Sequence, residues 1–258
     1  MALLKTEAVI LHSRKFSESS KIIVLFTRTT GRVSVLVRGG RKGTKKFPGG
    51  LETLNRIELQ FYHRPGRDLH NFKSFDLIQS FQTLRTDLSR TYTALSLAET
   101  ILRVTMPEDE NSHLLDDLTE TFAALDSIES NPWTFRWRAL LHIARHLGFS
   151  INLRNCVDCG AVSEIAAFDL SGGGFLCRNC CREKPQSVKA DAEMWGALRF
   201  LERCPPAAAP RMTVTPAVGI EIEALFSRFF RFHVPDLKKF DSWILLPKLY
   251  WGIEAKTT

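Results

Sequence analysis

The chain has 258 residues and a formal net charge of +7, with 44% hydrophobic and 24% charged residues. These values are ordinary for a folded protein of one or two domains and argue against a largely disordered chain. No apolar run reaches the roughly 18 residues that a membrane span requires. Lys5 and Glu7 interrupt the apolar core that a signal peptide needs. We therefore expect a cytoplasmic protein with reduced thiols and no membrane association.

The positive charge is concentrated in the first third of the chain. Residues 1–80 hold 15 Lys and Arg against 6 Asp and Glu, whereas the remaining residues carry a slight negative excess. A localised basic excess indicates a polyanionic partner, most simply a nucleic acid. The alternative is a solvated surface that has no partner.

Residues 1–80 read as five short strands joined by turns. The expected strands are Glu7–His12, Lys21–Thr27, the alternating run 33–38, the alternating run 56–61 and Leu69–Ile78. Five strands with a long connection between the third and the fourth suit a small Greek-key barrel such as the OB-fold. We therefore assign residues 1–80 to an OB-fold nucleic-acid-binding domain.

The long connection, Gly39–Gly50, combines glycines with cations. Glycine lets a backbone approach a phosphate chain closely, and cations neutralise that chain. The segment lacks the G-x-x-x-x-G-K-[ST] pattern, which argues against ATP binding. A loop that merely aids solubility is the alternative. The candidate nucleic-acid-binding residues are Arg14, Lys15, Arg38, Arg41, Lys42, Lys45 and Lys46.

From residue 84 the apolar spacing becomes helical, which predicts a helical domain over residues 84–258. Expected N-caps are Asp87, Asp191 and Thr215, and Pro132 suits the first turn of another helix. The acidic stretch 107–130 has one apolar stripe, so we expect its acids to be solvated. The apolar residues after Phe240 either pack back on this domain or form a partner groove.

The helix that begins at Pro132 carries cations opposite its apolar side. We expect Arg138, His142, Arg145 and His146 to form an exposed basic face that extends a nucleic-acid track. His142 and His146 are four residues apart, but the H-E-x-x-H pattern of a catalytic zinc site is missing.

Within the helical domain, segment 151–184 contains two close cysteine pairs. Cys156 and Cys159 precede Cys177 and Cys180, with 17 residues between the pairs. This spacing is typical of a structural four-thiolate zinc site, with one Zn²⁺ per chain and no open coordination position. Two disulfides are the alternative, and Cys181 could replace Cys180 as a ligand. Cys204 lies apart, and we interpret it as a small buried residue.

The chain resembles the RecO family of bacterial recombination mediators over nearly its full length. The resemblance is carried by Ser17–Thr27, Gly31–Ser34, Arg38–Lys42, Gly49–Glu52, the cysteine segment with Gly160 and Phe168, and Phe229–His233. It implies an α+β protein, in which a five-stranded OB-fold barrel precedes an all-helical domain with an inserted four-cysteine zinc knuckle.

The resemblance also implies a function in recombinational repair in the bacterial cytoplasm, near the nucleoid. Expected activities are binding of single- and double-stranded DNA, annealing of complementary strands and help in loading RecA on coated gaps. Expected partners are RecR and the C-terminal tail of the single-stranded-DNA-binding protein. The Arg138/His142/Arg145 face and the Phe229–His233 region are candidates for docking that tail.

The residues themselves show no catalytic constellation, so we expect a binding protein rather than an enzyme. An RNA- or transcription-associated zinc-ribbon protein would share the basic barrel and the metal. A nuclease or a similar metal enzyme is a third class, which magnesium-dependent loss of substrate would identify.

Overall fold

The computed structural model describes residues 2–40, 51–127, 131–162, 164–184, 187–234, 237 and 240–252. The chain divides into two compact units, Met1–Ser127 and Ile128–Thr258. Among the described residues, a mixed sheet comes first and most of the helices follow it, which agrees with the expected α+β class. The domain boundaries at residues 80 and 84 stay a prediction.

The first unit contains five strands, all of which the alternating sequence pattern predicts. They are β1 (Ala2–Lys15), β2 (Lys21–Thr27), β3 (Gly31–Val37), β4 (Arg56–His63) and β5 (Leu69–Gln79). Gly31 adopts a left-handed φ of 59° at the turn between β2 and β3, a conformation that glycine tolerates best. The β2–β3 hairpin therefore forms where the sequence places it.

These strands pair in the order β1-β2-β3-β5-β4, and β4 pairs again with β1, so the sheet closes on itself. All pairs are antiparallel except β3 with β5. Alternate side chains point inward, and apolar residues from all five strands fill the interior. Burying each large branched side chain stabilises this core by about 1.5–3 kcal/mol.

Two helices complete the first unit, α1 (Leu88–Val104) and α2 (Ser112–Ser127). The carboxylate of Asp87 caps α1 as predicted, accepting the backbone N–H of Arg90 at 2.7 Å. The apolar stripe of α2 is buried, also as predicted. Arg28 joins the sheet to α2, because its Nη2 lies 2.6 Å from the Asp116 carboxylate.

The second unit combines helices with a small three-stranded sheet of order β7-β6-β8. The elements are α3 (Pro132–His146), β6 (Ile165–Asp169), β7 (Gly174–Cys177), α4 (Arg178–Cys181), β8 (Val188–Lys189), α5 (Ala192–Arg203), α6 (Pro216–His233) and α7 (Asp241–Trp251). Asp191 and Thr215 cap α5 and α6 as predicted. Among the described residues, no helix combines the length and the apolar character that a membrane crossing needs.

Helix α7 packs back on its own unit. The Trp251 ring lies 5.6 Å from the Trp133 ring and 6.1 Å from the Trp137 ring, and its edge lies against Gly219 of α6. A side chain at position 219 would occupy the same space as this ring. Of the two alternatives for the tail, the described part therefore takes the packed one.

The predicted basic face of α3 is wrong for Arg138 and His142, whereas Arg145 is exposed and His146 is half-buried. Arg138 and His142 are only 5% and 6% exposed, and Arg138 Nε donates to the carbonyl oxygen of Cys204 at 2.8 Å. The Phe229–His233 region is divided, since Phe229 and Phe230 are fully buried whereas Arg231 and Phe232 are exposed. Helical spacing alone misses the burial of Arg138 and His142, because α3 is covered on all sides over residues 134–144.

A buried ion pair connects α3 to α6. The Arg136 guanidinium is fully buried and donates through Nη1 to Glu223, while Trp137 Nε1 donates to the other carboxylate oxygen at 2.7 Å. The Trp243 ring of α7 lies 4.1 Å from the guanidinium carbon, a cation–π contact. The Arg136 guanidinium of α3 thereby contacts both α6 and α7.

We predict that Glu223→Gln lowers the free energy of unfolding by about 3–5 kcal/mol, because it removes the buried negative charge that faces the Arg136 guanidinium. Glu221→Gln, on the exposed side of the same helix, is the matched control and should change it by less than about 0.5 kcal/mol. Urea denaturation measures both variants. Similar values for the two would show that the buried pair is not important for stability.

Candidate metal centre and nucleic-acid interface

The structure brings the four predicted cysteines together. The Sγ atoms of Cys156, Cys159, Cys177 and Cys180 all lie within 4.8 Å of one another. Cys159 Sγ and Cys177 Sγ are 3.8 Å apart. Four sulfurs at the usual Zn–S length around a tetrahedral ion would be about 3.8 Å apart, so the cluster is compatible with Zn²⁺.

Local backbone geometry positions each cysteine pair. The Gly160 N–H donates to the carbonyl oxygen of Cys156 at 3.0 Å, and the left-handed φ of Gly160, 73°, closes the first turn. The Val157 N–H donates to Phe175 of β7, which ties this turn to the strand that ends at Cys177. Cys180 follows in the single turn of α4, so a strand end and a helix start present the second pair.

The thiols interact strongly with one another and with the backbone. Hydrogen bonding from the Cys180 backbone N–H lowers the pKa of Cys177 to about 6. Burial acts to raise the pKa of Cys156, but backbone N–H groups, those of Cys159 and Cys177 first, bring it below its ordinary value. Hydrogen bonding with Cys159 raises the pKa of Cys180. Two of the four cysteines, Cys156 and Cys177, thus have a lowered pKa, and thiolates so close together favour a divalent cation among them.

The other two cysteines lie outside this group of sulfurs. Cys180 belongs to the cluster of four sulfurs and Cys181 does not, so the geometry favours Cys180 as the ligand. Cys204 is buried, and its Sγ lies 3.7 Å from the carbonyl oxygen of Leu201. That placement agrees with its interpretation as a small buried residue.

A lysine clip, formed by Lys184 with Asp158 and Asp169, joins the two cysteine turns. Lys184 Nζ lies 3.3 Å from Asp158 and 2.6 Å from Asp169. Although burial acts to raise the pKa of Asp169, hydrogen bonds from Lys184 and Ser171 lower it to about 2. Sequence reasoning missed this clip, because three ordinary charged residues in a loop-rich segment carry no distinctive spacing.

The candidate nucleic-acid residues that the structure describes lie at one end of the first unit's sheet. Arg14 and Lys15 are exposed at the end of β1, and Arg38 is exposed just after β3. Lys15 pairs with Lys21 at the start of β2, which in turn pairs with Val37 at the end of β3. Arg41, Lys42, Lys45 and Lys46 lie outside the described residues.

The residues that flank segment 41–50 converge on this same end. Lys21 Nζ donates to the carbonyl oxygen of Leu51 at 2.8 Å, and the Leu54 N–H donates to the carbonyl oxygen of Ile10 at 2.7 Å. The described residues on either side of the segment, Gly40 and Leu51, therefore both lie beside Lys21. Within the described residues, no acidic partner lies at ion-pair distance from Arg14, Lys15 or Arg38.

The fold and the site define a protein with a closed, locally basic five-stranded sheet and a helical unit that holds a four-thiolate cluster. In a comparison with known families, Recombination protein O N terminal matches residues 1–81 and Recombination protein O C terminal matches residues 85–240. The chain belongs to the RecO family, which confirms the resemblance seen in the sequence.

Similar proteins named DNA repair protein RecO cover almost the whole chain. One from Anaeromyxobacter dehalogenans strain 2CP-1 is 31% identical over 235 residues, which is 89% of this chain and 91% of that protein. One from Caldanaerobacter subterraneus subsp. tengcongensis is 25% identical over 242 residues, 93% of this chain and 97% of that protein.

We predict that Cys156→Ser lowers zinc content well below one equivalent and lowers the melting temperature, because a closed tetrahedral site needs all four thiolates. Cys204→Ser, which also removes a buried thiol, is the matched control and should retain zinc. Elemental analysis and thermal unfolding of both variants measure the two effects. Full zinc retention in Cys156→Ser would overturn the ligand assignment.

Proposed function

We propose that this protein is a DNA-binding mediator of recombinational repair that acts by binding rather than by catalysis. The observation that carries the proposal is the convergence of Arg14, Lys15, Arg38 and both ends of segment 41–50 at one end of the sheet. Family membership supports the repair function, because the relatives are named DNA repair proteins.

The first unit is proposed to be an OB-fold. Its strand order, with β1 paired to both β2 and β4 and with β3 parallel to β5, supports this assignment. OB-folds bind oligonucleotides through one face and the loops beside it. A basic glycine-rich loop that begins and ends at a cationic sheet end would contact phosphates and leave base edges free.

The four-cysteine cluster is proposed to hold one structural Zn²⁺. Cys156, Cys159, Cys177 and Cys180 would be its ligands, and the lysine clip would hold their two turns in place. A bound zinc ion supplies folding free energy to a small segment, and four thiolates leave no position for a reacting water. The metal would therefore stabilise the helical unit without performing a reaction.

The proposal also includes strand annealing and the protein partners of the family. Neutralising phosphates on two strands lowers their mutual repulsion, so the protein would anneal complementary strands without ATP. On strands coated by the single-stranded-DNA-binding protein, the C-terminal tail of that protein would dock on the helical unit. RecR would join the complex, and RecA would then load on the gap.

We predict that the double substitution Arg41→Glu with Lys42→Glu weakens binding of single-stranded DNA and reduces the salt slope of affinity by about two, one unit for each phosphate that the loop no longer neutralises. Fluorescence anisotropy over a range of salt concentrations measures both quantities. Arg228→Glu with Arg231→Glu, exposed on α6, changes the net charge equally and is the matched control. An unchanged salt slope in the loop variant would remove the loop from the DNA interface.

The same assay separates DNA from RNA recognition. RNA of identical sequence should bind more weakly than the DNA if recombinational repair is the function. Tighter binding of the RNA would instead favour an RNA-associated protein.

We predict that the protein accelerates annealing of complementary strands without ATP, and that it does so on strands coated by the single-stranded-DNA-binding protein. Annealing followed by fluorescence quenching should be slower when the coat protein lacks its C-terminal tail. Equal rates with both coat proteins would contradict tail docking. No acceleration on bare strands would contradict the annealing function itself.

A further inference from the structure

A second group of metal-ligating side chains lies in the first unit, away from the cysteines. It consists of His63 at the end of β4, His70 at the start of β5 and Glu108 just after α1, and the ligand atoms of all three lie within 4.8 Å of one another. His63 Nε2 is 2.8 Å from Glu108 Oε1, and His70 Nε2 is 4.0 Å from the same oxygen.

The backbone brings these residues together from three segments. β4 and β5 are adjacent antiparallel strands, so their connected ends place the two imidazole rings 4.7 Å apart. The Glu108 N–H donates to the carbonyl oxygen of Arg32 on β3, the strand that pairs with the start of β5. Glu108 itself has a left-handed φ of 58°, which is unusual for a residue other than glycine.

The site lies beside a defined cavity rather than on a flat, open surface. His70 is 2% exposed, and together with Glu108 and Arg32 it lines a cavity of about 240 Å³. Nitrogen and oxygen ligands around one tetrahedral zinc ion would be about 3.4 Å apart. The two measured distances, 2.8 and 4.0 Å, lie on either side of that value. Small side-chain rotations would therefore bring the ligand atoms to the spacing that a bound ion requires.

We propose that His63, His70 and Glu108 form a second metal site, which binds a first-row divalent transition metal such as Zn²⁺. Imidazole nitrogens with one carboxylate suit these ions, whereas Mg²⁺ and Ca²⁺ prefer oxygen ligands alone. Three protein ligands leave a fourth position for water from the cavity. The site differs in this respect from the cysteine cluster, which is closed.

Metal binding would also involve the turn between the two histidines. The Arg64 N–H points at Nδ1 of His70, 3.4 Å away. Ligation through Nε2 places the proton of His70 on Nδ1, so that N–H must turn away. Residues 64–69 are exposed and include Gly66 with a left-handed φ of 70°, which makes this adjustment feasible. The ion would thereby set the conformation of the β4–β5 turn.

The test uses the full chain without a histidine tag, with its cysteine cluster already loaded with Zn²⁺. Added Co²⁺ should bind at about one further equivalent and give d–d absorption without the sulfur-to-cobalt charge-transfer band of thiolate ligation. It should also raise the melting temperature, because it binds the folded state. Mg²⁺ should do neither.

Variants assign the ligands. Glu108→Gln and His63→Gln should lose the additional equivalent and the cobalt-induced rise in melting temperature while retaining the zinc of the cysteine cluster. His12→Gln, an exposed histidine on β1, is the matched control and should bind cobalt as the unaltered protein does. The proposal is overturned if the unaltered protein takes up no further cobalt, if its cobalt spectrum shows thiolate ligation, or if Glu108→Gln binds cobalt equally well.

Discussion

The first unit depends on the pairing of β1 along both of its edges. Its first half pairs with β4 and its second half with β2, and the register shifts between Ile10 and His12, where the two halves meet. A 14-residue strand is long for a globular protein, and a shift of this kind increases local twist. Because β2 pairs with both β1 and β3, the end of β1, the start of β2 and the end of β3 lie side by side, with the exposed cations Arg14, Lys15 and Arg38 at this end.

The second unit has a different constraint, since its small sheet has little core of its own. Strands β6, β7 and β8 contain five, four and two residues, and a small buried cluster beside the four cysteines joins Ala167 and Leu176 to Cys156 and Cys177. Segments of this size usually need a metal or a disulfide. The lysine clip holds the two cysteine turns near each other, which lowers the entropic cost of collecting four thiolates around one ion.

Short-range sequence patterns predict much of this structure. The features that they miss depend on contacts between residues that are far apart in the chain. Strand alternation, the Asp87 cap and the cysteine spacing are all set by residues close in sequence, so they could be predicted from sequence. The burial of Arg136 depends on Glu223, which lies 87 residues away, and periodicity on α3 cannot reveal such a partner. The His63, His70 and Glu108 group was missed for the same reason, because only the folded sheet brings Glu108 to the two histidines.

The distribution of charge shows why net charge is a poor measure of a DNA interface. Lys5 and Arg56 belong to the basic excess of the first third, yet they form ion pairs with Glu58 and Glu7. Arg28 is likewise held between Glu7 and Asp116. These cations stabilise the unit and are already neutralised. If the proposed function holds, the exposed cations that bind phosphates are those at the sheet end with Arg14, Lys15 and Arg38. Affinity should then follow the position of a substituted charge more closely than the sum of charges.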